Sequence, residues 1–114
     1  MRQVELIWQR KEQEIARTRA WIAETFWTRS RGLLGRPPLR PGEALKIIPC
    51  NSIHCFFMRV PIDVVFLNSA GVVLKVYADV RPWRGRFAWH AKAVVELAAG
   101  EACRLGLQEG DLCR

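Results

Sequence analysis

The stretch Pro61-Ile62-Asp63-Val64-Val65-Phe66-Leu67-Asn68-Ser69-Ala70-Gly71-Val72-Val73-Leu74-Lys75-Val76 decides the fold class. Ile62 to Leu67 is dominated by β-branched and aromatic side chains, the makeup of a core strand. Asn68-Ser69-Ala70-Gly71 supplies turn residues, and Val72 to Val76 reads as the returning arm of a hairpin. Upstream, Ile53 to Val60 is equally strand-like, and Pro61 marks an edge, bulge or bend. One charge, Asp63, stands inside the core strand. A carboxylate there needs pairing or hydrogen bonds, with Arg59 or an N–H group beyond Pro61 as the expected partner. Glu96, in Val94-Val95-Glu96-Leu97, poses the same question.

Working outward, Ala44 to Ile48 is a brief strand ended by Pro49, and Ala93 to Leu97 is another. Ala98-Ala99-Gly100 turns into a short helical turn over 101–105, and Gly106 to Asp111 is a tight loop feeding a last short strand. Asp111, after Gly110, is suited to organising that turn through its own side chain. Thr25 is an N-cap for Phe26, Trp27, Ser30, Leu33 and Leu34 at helical spacing, with Gly35 and Pro37-Pro38 as the stop. That predicts a helix over 25–34. Residues 82–86 read as loop. For 2–24 two readings stay open on pattern alone: one long helix, or a hairpin turning at Gln9 to Gln13. Short strands every 10–12 residues with little helix predict an α+β, mainly β fold. The expected form is a small β-barrel or a strongly curled antiparallel or mixed sheet. At 114 residues the chain is expected to be a single domain, 1–114.

Eighteen basic residues against eleven acidic leave a net charge of +7, and fourteen of the basic residues are Arg. They are scattered, with no run of like charge that would mark a nucleic-acid tail. The apolar stretch Val4-Glu5-Leu6-Ile7-Trp8 is broken by an acid and too short for a secretory signal or a membrane span. The four cysteines, Cys50, Cys55, Cys103 and Cys113, form no dense framework and are expected to be free thiols. A cytoplasmic protein without membrane attachment is expected.

Several groups could carry chemistry. Cys50, His54, Cys55 and Met58 are soft donors, but C-x₃-H-C-x₂-M is not a standard zinc spacing, so no metal and no cofactor are expected. Cys50 with His54 and Asp63 could form a thiol–histidine enzyme or a soft-metal handler, although Cys50 follows a proline rather than preceding a helix. Trp83, Arg84, Arg86, Phe87, Trp89 and His90 interleave π faces with guanidinium groups. Such a loop can clamp an anion, or stack single-stranded bases, the weaker alternative. The leading reading is a non-enzymatic module binding a small anionic ligand or a protein. Its cleft would be walled by His54, Phe56, Met58, Arg59 and Asp63, with Trp83 and Arg84 in the loop above.

Three motifs in register carry a resemblance. They are Phe26-Trp27-x-Arg29-x-Arg31-Gly32-Leu33-Leu34-Gly35-Arg36, then Pro49-Cys50-x-Ser52-Ile53-His54-x-Phe56-Phe57-Met58-Arg59-x-Pro61-Ile62-Asp63, and finally Pro82-Trp83-Arg84 with Val95-Glu96-Leu97-x-Ala99-Gly100 and Gly106-Leu107-x-x-Gly110-Asp111. The chain resembles the domain-of-unknown-function 192 family from about residue 15 onward. The resemblance implies a small, mostly β domain whose helix follows a first hairpin, which favours the hairpin over 2–24. It implies no activity. Many relatives carry secretion signals, and many have Thr where this chain has Cys55, so a thiol there is hard to assign to shared chemistry.

Overall fold

Alternation settles the first segment. β1 (Arg2–Arg10) and β2 (Gln13–Ala23) pair antiparallel. Leu6, Trp8, Thr18, Ala20 and Ile22 are buried, while Glu5, Arg17 and Arg19 face solvent. Trp8 is fully buried, and its indole N–H donates to Thr18 Oγ1 at 3.1 Å, so the ring brings its polar edge into the core already satisfied. The turn rests on two residues in the left-handed region, Lys11 (φ 50°) and Glu12 (φ 66°). That is the conformation Asn-Gly adopts with least strain. Replacing Lys11-Glu12 by Asn-Gly is therefore expected to stabilise the chain by about 1 kcal/mol, a rise of roughly 4 °C in a thermal melt.

The computed structural model describes residues 1–25, 38–50 and 60–114, together with the backbone of 52–54. The helix expected over 25–34 lies outside the described residues except for Thr25. Among those described, β3 (Glu43–Ile47), β5 (Ile62–Leu67), β6 (Val73–Val80), β8 (Ala93–Ala98) and β9 (Leu112–Cys113) join the hairpin in one sheet. The order is β6-β5-β8-β3-β2-β1-β9, with β2 and β3 parallel and every other pair antiparallel. β4 (Ser52–His54) and β7 (Gly85–Phe87) form a separate two-stranded ribbon. Two boundaries differ from the sequence expectation. The returning arm extends to Val80, and the segment read as loop at 82–86 contains the start of β7, because it pairs with β4 rather than running free.

The sheet is mixed and curled and does not close as a barrel. Its two ends touch at one bridge, Val72 to Leu112. Gly71 permits that approach: its carbonyl accepts from the Cys113 N–H at 2.8 Å, and a Cβ at Gly71 would lie 2.5 Å from the Cys113 carbonyl oxygen. The one helix in the described residues, α1 (Glu101–Leu105), lies where a helical turn is expected.

Both faces of the central strands are covered, which explains why β5 and β8 read as near-continuous apolar runs. One face carries Leu6, Trp8, Val65, Leu67, Val95 and Leu97 and meets α1 through Ala102. The other carries Leu45, Ile47, Val64, Phe66 and Val94 and meets the segment after β7 through Ala88 and Ala91.

Candidate functional site

Two carboxyl groups lie in the central strands, and strand alternation sends them to opposite faces. Asp63 shares the α1 face with Val65 and Leu67 and is fully buried. One of its oxygens accepts the Asp79 N–H at 2.9 Å and the other the Ala102 N–H at 2.8 Å. Ala102 is in the first turn of α1, whose N-cap is Gly100 and has no side chain to offer. Asp63 therefore caps α1 from β5, satisfying a backbone donor the helix leaves open. Its partners are both main-chain N–H groups. The expected clamp is present, with Arg59 outside the described residues.

Glu96 lies on the other face, 7 % exposed, opposite Val64 on one side and Leu45 on the other. Among the described residues it has neither a hydrogen bond nor an ion pair. Burial pushes its carboxyl up to about 7. The cross-strand row continues outward to Tyr77 beyond Val64 and to Trp21 beyond Leu45. Tyr77 packs edge-on against Phe66 at 5.9 Å, and the Arg86 guanidinium lies 5.5 Å from its ring centre. The β4–β7 ribbon is thus pinned over the Glu96 face by a cation–π contact and by Ala88 and Ala91.

The loop around β7 is exposed. Trp83 is 61 % exposed, Phe87 47 % and Trp89 76 %, and the last two make an edge-to-face pair at 5.2 Å. Arg81, Arg84 and Lys92 are exposed beside them, and no acid occurs between Val80 and Val95. A cleft of about 220 Å³ lined by Pro49, Cys50, Ala91 and Lys92 opens next to this loop.

The structure therefore brings together only part of the expected cleft. β4 places His54 opposite Gly85, which makes the 52–54 segment a neighbour of Trp83 and Arg84. Asp63 is not in that group: it faces α1, with both oxygens engaged, and is unavailable to orient an imidazole. The His54 side chain and residues Phe56, Met58 and Arg59 lie outside the described residues, as does Cys55. Among the described residues no three or more His, Cys, Asp or Glu converge as metal ligands. The bidentate pair of Arg10 with Asp111 (2.7 and 2.8 Å) is not legible in the sequence, since 101 positions separate them and Arg10 sits in no motif. Asp111 also accepts the Gln108 N–H, the expected turn role. Burial raises its carboxyl, but Arg10 and that N–H together hold it below the usual range.

The described thiols differ in exposure. Cys103 is exposed and Cys113 buried, and burial pushes the Cys113 thiol up to about 11. A thiolate-selective reagent at pH 8 is expected to label Cys103 in the folded protein and Cys113 only after denaturation, as peptide mapping of the modified protein would read.

Comparison with known proteins agrees with the architecture. A family model described as "Uncharacterized ACR", domain of unknown function 192, matches residues 7–114. A UPF0127 protein of Thermococcus sibiricus is 36% identical over 99 residues, covering 82% of this chain and 63% of the relative, so the chain spans less than two thirds of that protein. Another, from Pyrococcus abyssi, is 38% identical over 97 residues, covering 79% of this chain and 80% of the relative. Among solved structures, a protein of unknown function from Novosphingobium aromaticivorans superposes with a TM-score of 0.84 at 22% identity, over 98% of this chain and 84% of that one. A Sinorhizobium meliloti protein, named provisionally as a transcription regulator, gives 0.88 at 18% identity, over 99% and 93%. These two likenesses speak for the fold alone. With hairpin, mixed sheet and α1 in the expected order and the family model spanning nearly the whole chain, the chain belongs to the domain-of-unknown-function 192 family.

Proposed function

We propose that the chain is a non-enzymatic interaction module that docks an acidic protein segment on the loop from Trp83 to Trp89. The exposure of Trp83, Phe87 and Trp89 within seven residues carries this reading. Large aromatics held in water on one loop are costly unless a partner covers them, and Trp and Arg dominate the energetics of protein interfaces. Charge selects the partner. Arg84, Arg86 and Lys92 stand in a stretch without acids, while Arg81 pairs with Asp79, so an acidic segment gains attraction in addition to the apolar contact. A cytoplasmic setting belongs to the same reading and draws support from the free thiols of Cys103 and Cys113. No helix among the described residues is long and apolar enough to cross a membrane.

The test uses a fluorescein-labelled decapeptide of alternating Glu and Leu, followed by fluorescence anisotropy. Binding is expected, with a loss of roughly tenfold or more in Trp89→Ser and an unchanged melting temperature. Absence of peptide binding overturns the reading. Submicromolar binding of a single-stranded oligonucleotide that fades steeply between 50 and 200 mM salt, a range over which six to ten phosphate contacts cost roughly 10³–10⁵ in affinity, replaces it with nucleic-acid binding.

A further inference from the structure

The sheet ends in β6 on one side and, on the other, in β1 with the short β9 beside its far end. β6 is a protected edge. Val73 is tied to the 110–111 loop by two main-chain bonds, the pairing with β5 shifts register twice, and Asp79 adopts the left-handed region (φ 54°). Lys75 adds a charge to it. Each of these discourages a further strand. β1 has none of them over residues 2–7. Its register against β2 runs unbroken from Arg2 to Trp8, and the span holds no Pro, Gly or Lys. Ile7 exchanges both main-chain bonds with Arg114, at 3.0 and 2.9 Å, so its N–H and carbonyl point away from β2. With a period of two, those of Gln3 and Glu5 point the same way, and among the described residues nothing meets them. The Arg19 N–H agrees with this phase: Arg19 lies opposite Glu5 and donates to the Gly42 carbonyl, on the side away from β1.

From these open groups we infer that β1 pairs antiparallel with β1 of a second copy of the chain, across a two-fold axis at Val4. Register selects that partner. Arg114 occupies the lane beside Ile7, so an added strand has only Arg2 to Leu6 to lie against. A two-fold centred on Val4 uses the whole span. It sets Gln3 opposite Glu5 of the second copy, and Glu5 opposite its Gln3, as pairs that exchange both main-chain bonds. Val4 meets Val4 of the second copy in the closer kind of pair, which has no such bonds, and Arg2 meets Leu6. A centre at Glu5 would drive Gln3 of the second copy into Arg114 and set two glutamates face to face. A centre at Gln3 would leave Leu6 uncovered. Side chains favour the Val4 register too. On the solvent face the Gln3 amide can donate to Glu5 of the second copy, whose other oxygen accepts from Arg17 of its own chain at 2.6 Å. On the opposite face, half-buried Val4 carries the apolar cluster of Leu6 and Ala20 across the axis. No like charges stand opposite each other. The edge shares no residue with the aromatic loop, so neither reading depends on the other.

Sedimentation equilibrium of the full chain over about 10 µM to 1 mM is the first measurement, because a pairing this short buries less than the roughly 1,200 Å² at which standard interfaces begin. A monomer–dimer equilibrium is expected within that range. Glu5→Pro, which deletes one N–H donor from each copy, is expected to weaken it roughly tenfold or more. That N–H points away from β2, so the hairpin keeps its own ladder, and an unchanged melting temperature reports on it. Val4→Cys under oxidised glutathione gives a second readout. The Cα atoms of a pair without main-chain bonds lie about 4.5 Å apart, inside disulfide range. Mass spectrometry is expected to find two copies of the tryptic peptide 3–10 joined by a disulfide in Val4→Cys and not in Gln3→Cys. A monomer at every concentration, a dimer indifferent to Glu5→Pro, or equal bridging by the two cysteine variants would each overturn the pairing. The disulfide needs no proline, so a poorly folded Glu5→Pro leaves the test intact.

Discussion

At pH 8 the Glu96→Gln chain is expected to melt about 10 °C above the parent, and at pH 4 the two are expected to melt together. In the folded chain burial raises the Glu96 carboxyl to about 7, against an ordinary value of 4.5. Between these values the folded state holds a proton that the unfolded state has released. The stabilisation from the neutral acid is therefore fully present below pH 4.5 and is lost as pH rises through 7. Two and a half pH units correspond to about 3 kcal/mol, which at this chain length is roughly 10 °C. A glutamine keeps the shape and cannot ionise, so the variant lacks that slope. Asp111 and Glu101, both held below their usual range by arginines or N–H groups, contribute the opposite slope at acid pH. That slope is common to parent and variant and cancels in the comparison. Melting curves at the two pH values check the expectation; parallel pH profiles would contradict it.

Asp63→Ala is expected to lose about 3 kcal/mol, again roughly 10 °C, because the buried N–H of Ala102 and the part-buried N–H of Asp79 are left without their acceptor. One of these donors opens α1, whose N-cap Gly100 has no side chain, so the substitution also removes the side-chain acceptor at the helix N-terminus. Asp63→Asn is not a quiet replacement. An amide can accept on one side only, and its NH₂ would point at the second N–H. An intermediate loss follows. A thermal melt of both variants, with hydrogen exchange at Ala102, decides the matter: an unshifted Asp63→Ala transition would remove Asp63 from the structural role given to it here.

What could be read from residues alone follows the range of the forces involved. The core strand at 62–67, the hairpin turn after it and the helical turn at 101–105 are legible because local pattern and turn chemistry set them. The first hairpin is not legible from pattern, since Lys11-Glu12 lacks the Asn-Gly signature and the Trp8–Thr18 hydrogen bond that ties its arms is a contact of the folded chain. β7 was hidden for a similar reason: three residues, Gly85 to Phe87, become a strand only because β4 is there to pair with them. In the candidate site, Asp63 and Glu96 look alike in sequence, each a lone acid in an apolar run. Which one is satisfied depends on which face meets α1, and that is a property of the assembled sheet.

The pairing of β1 with β9 also bears on how the chain is made. Ile7 and Arg114 exchange both main-chain hydrogen bonds, at 3.0 and 2.9 Å, and Trp8 lies opposite Cys113. At synthesis rates of roughly 5–20 residues per second, β1 emerges about 5–20 s before the partner that covers its outer edge exists. Over that interval the open side of β1 is a template to which another nascent strand can bind. Closing a loop of about 100 residues last also puts the domain among slow folders, on the millisecond-to-second scale rather than the microsecond one. That interval ends only when residues 112–114 arrive and cover residues 7–9 of β1.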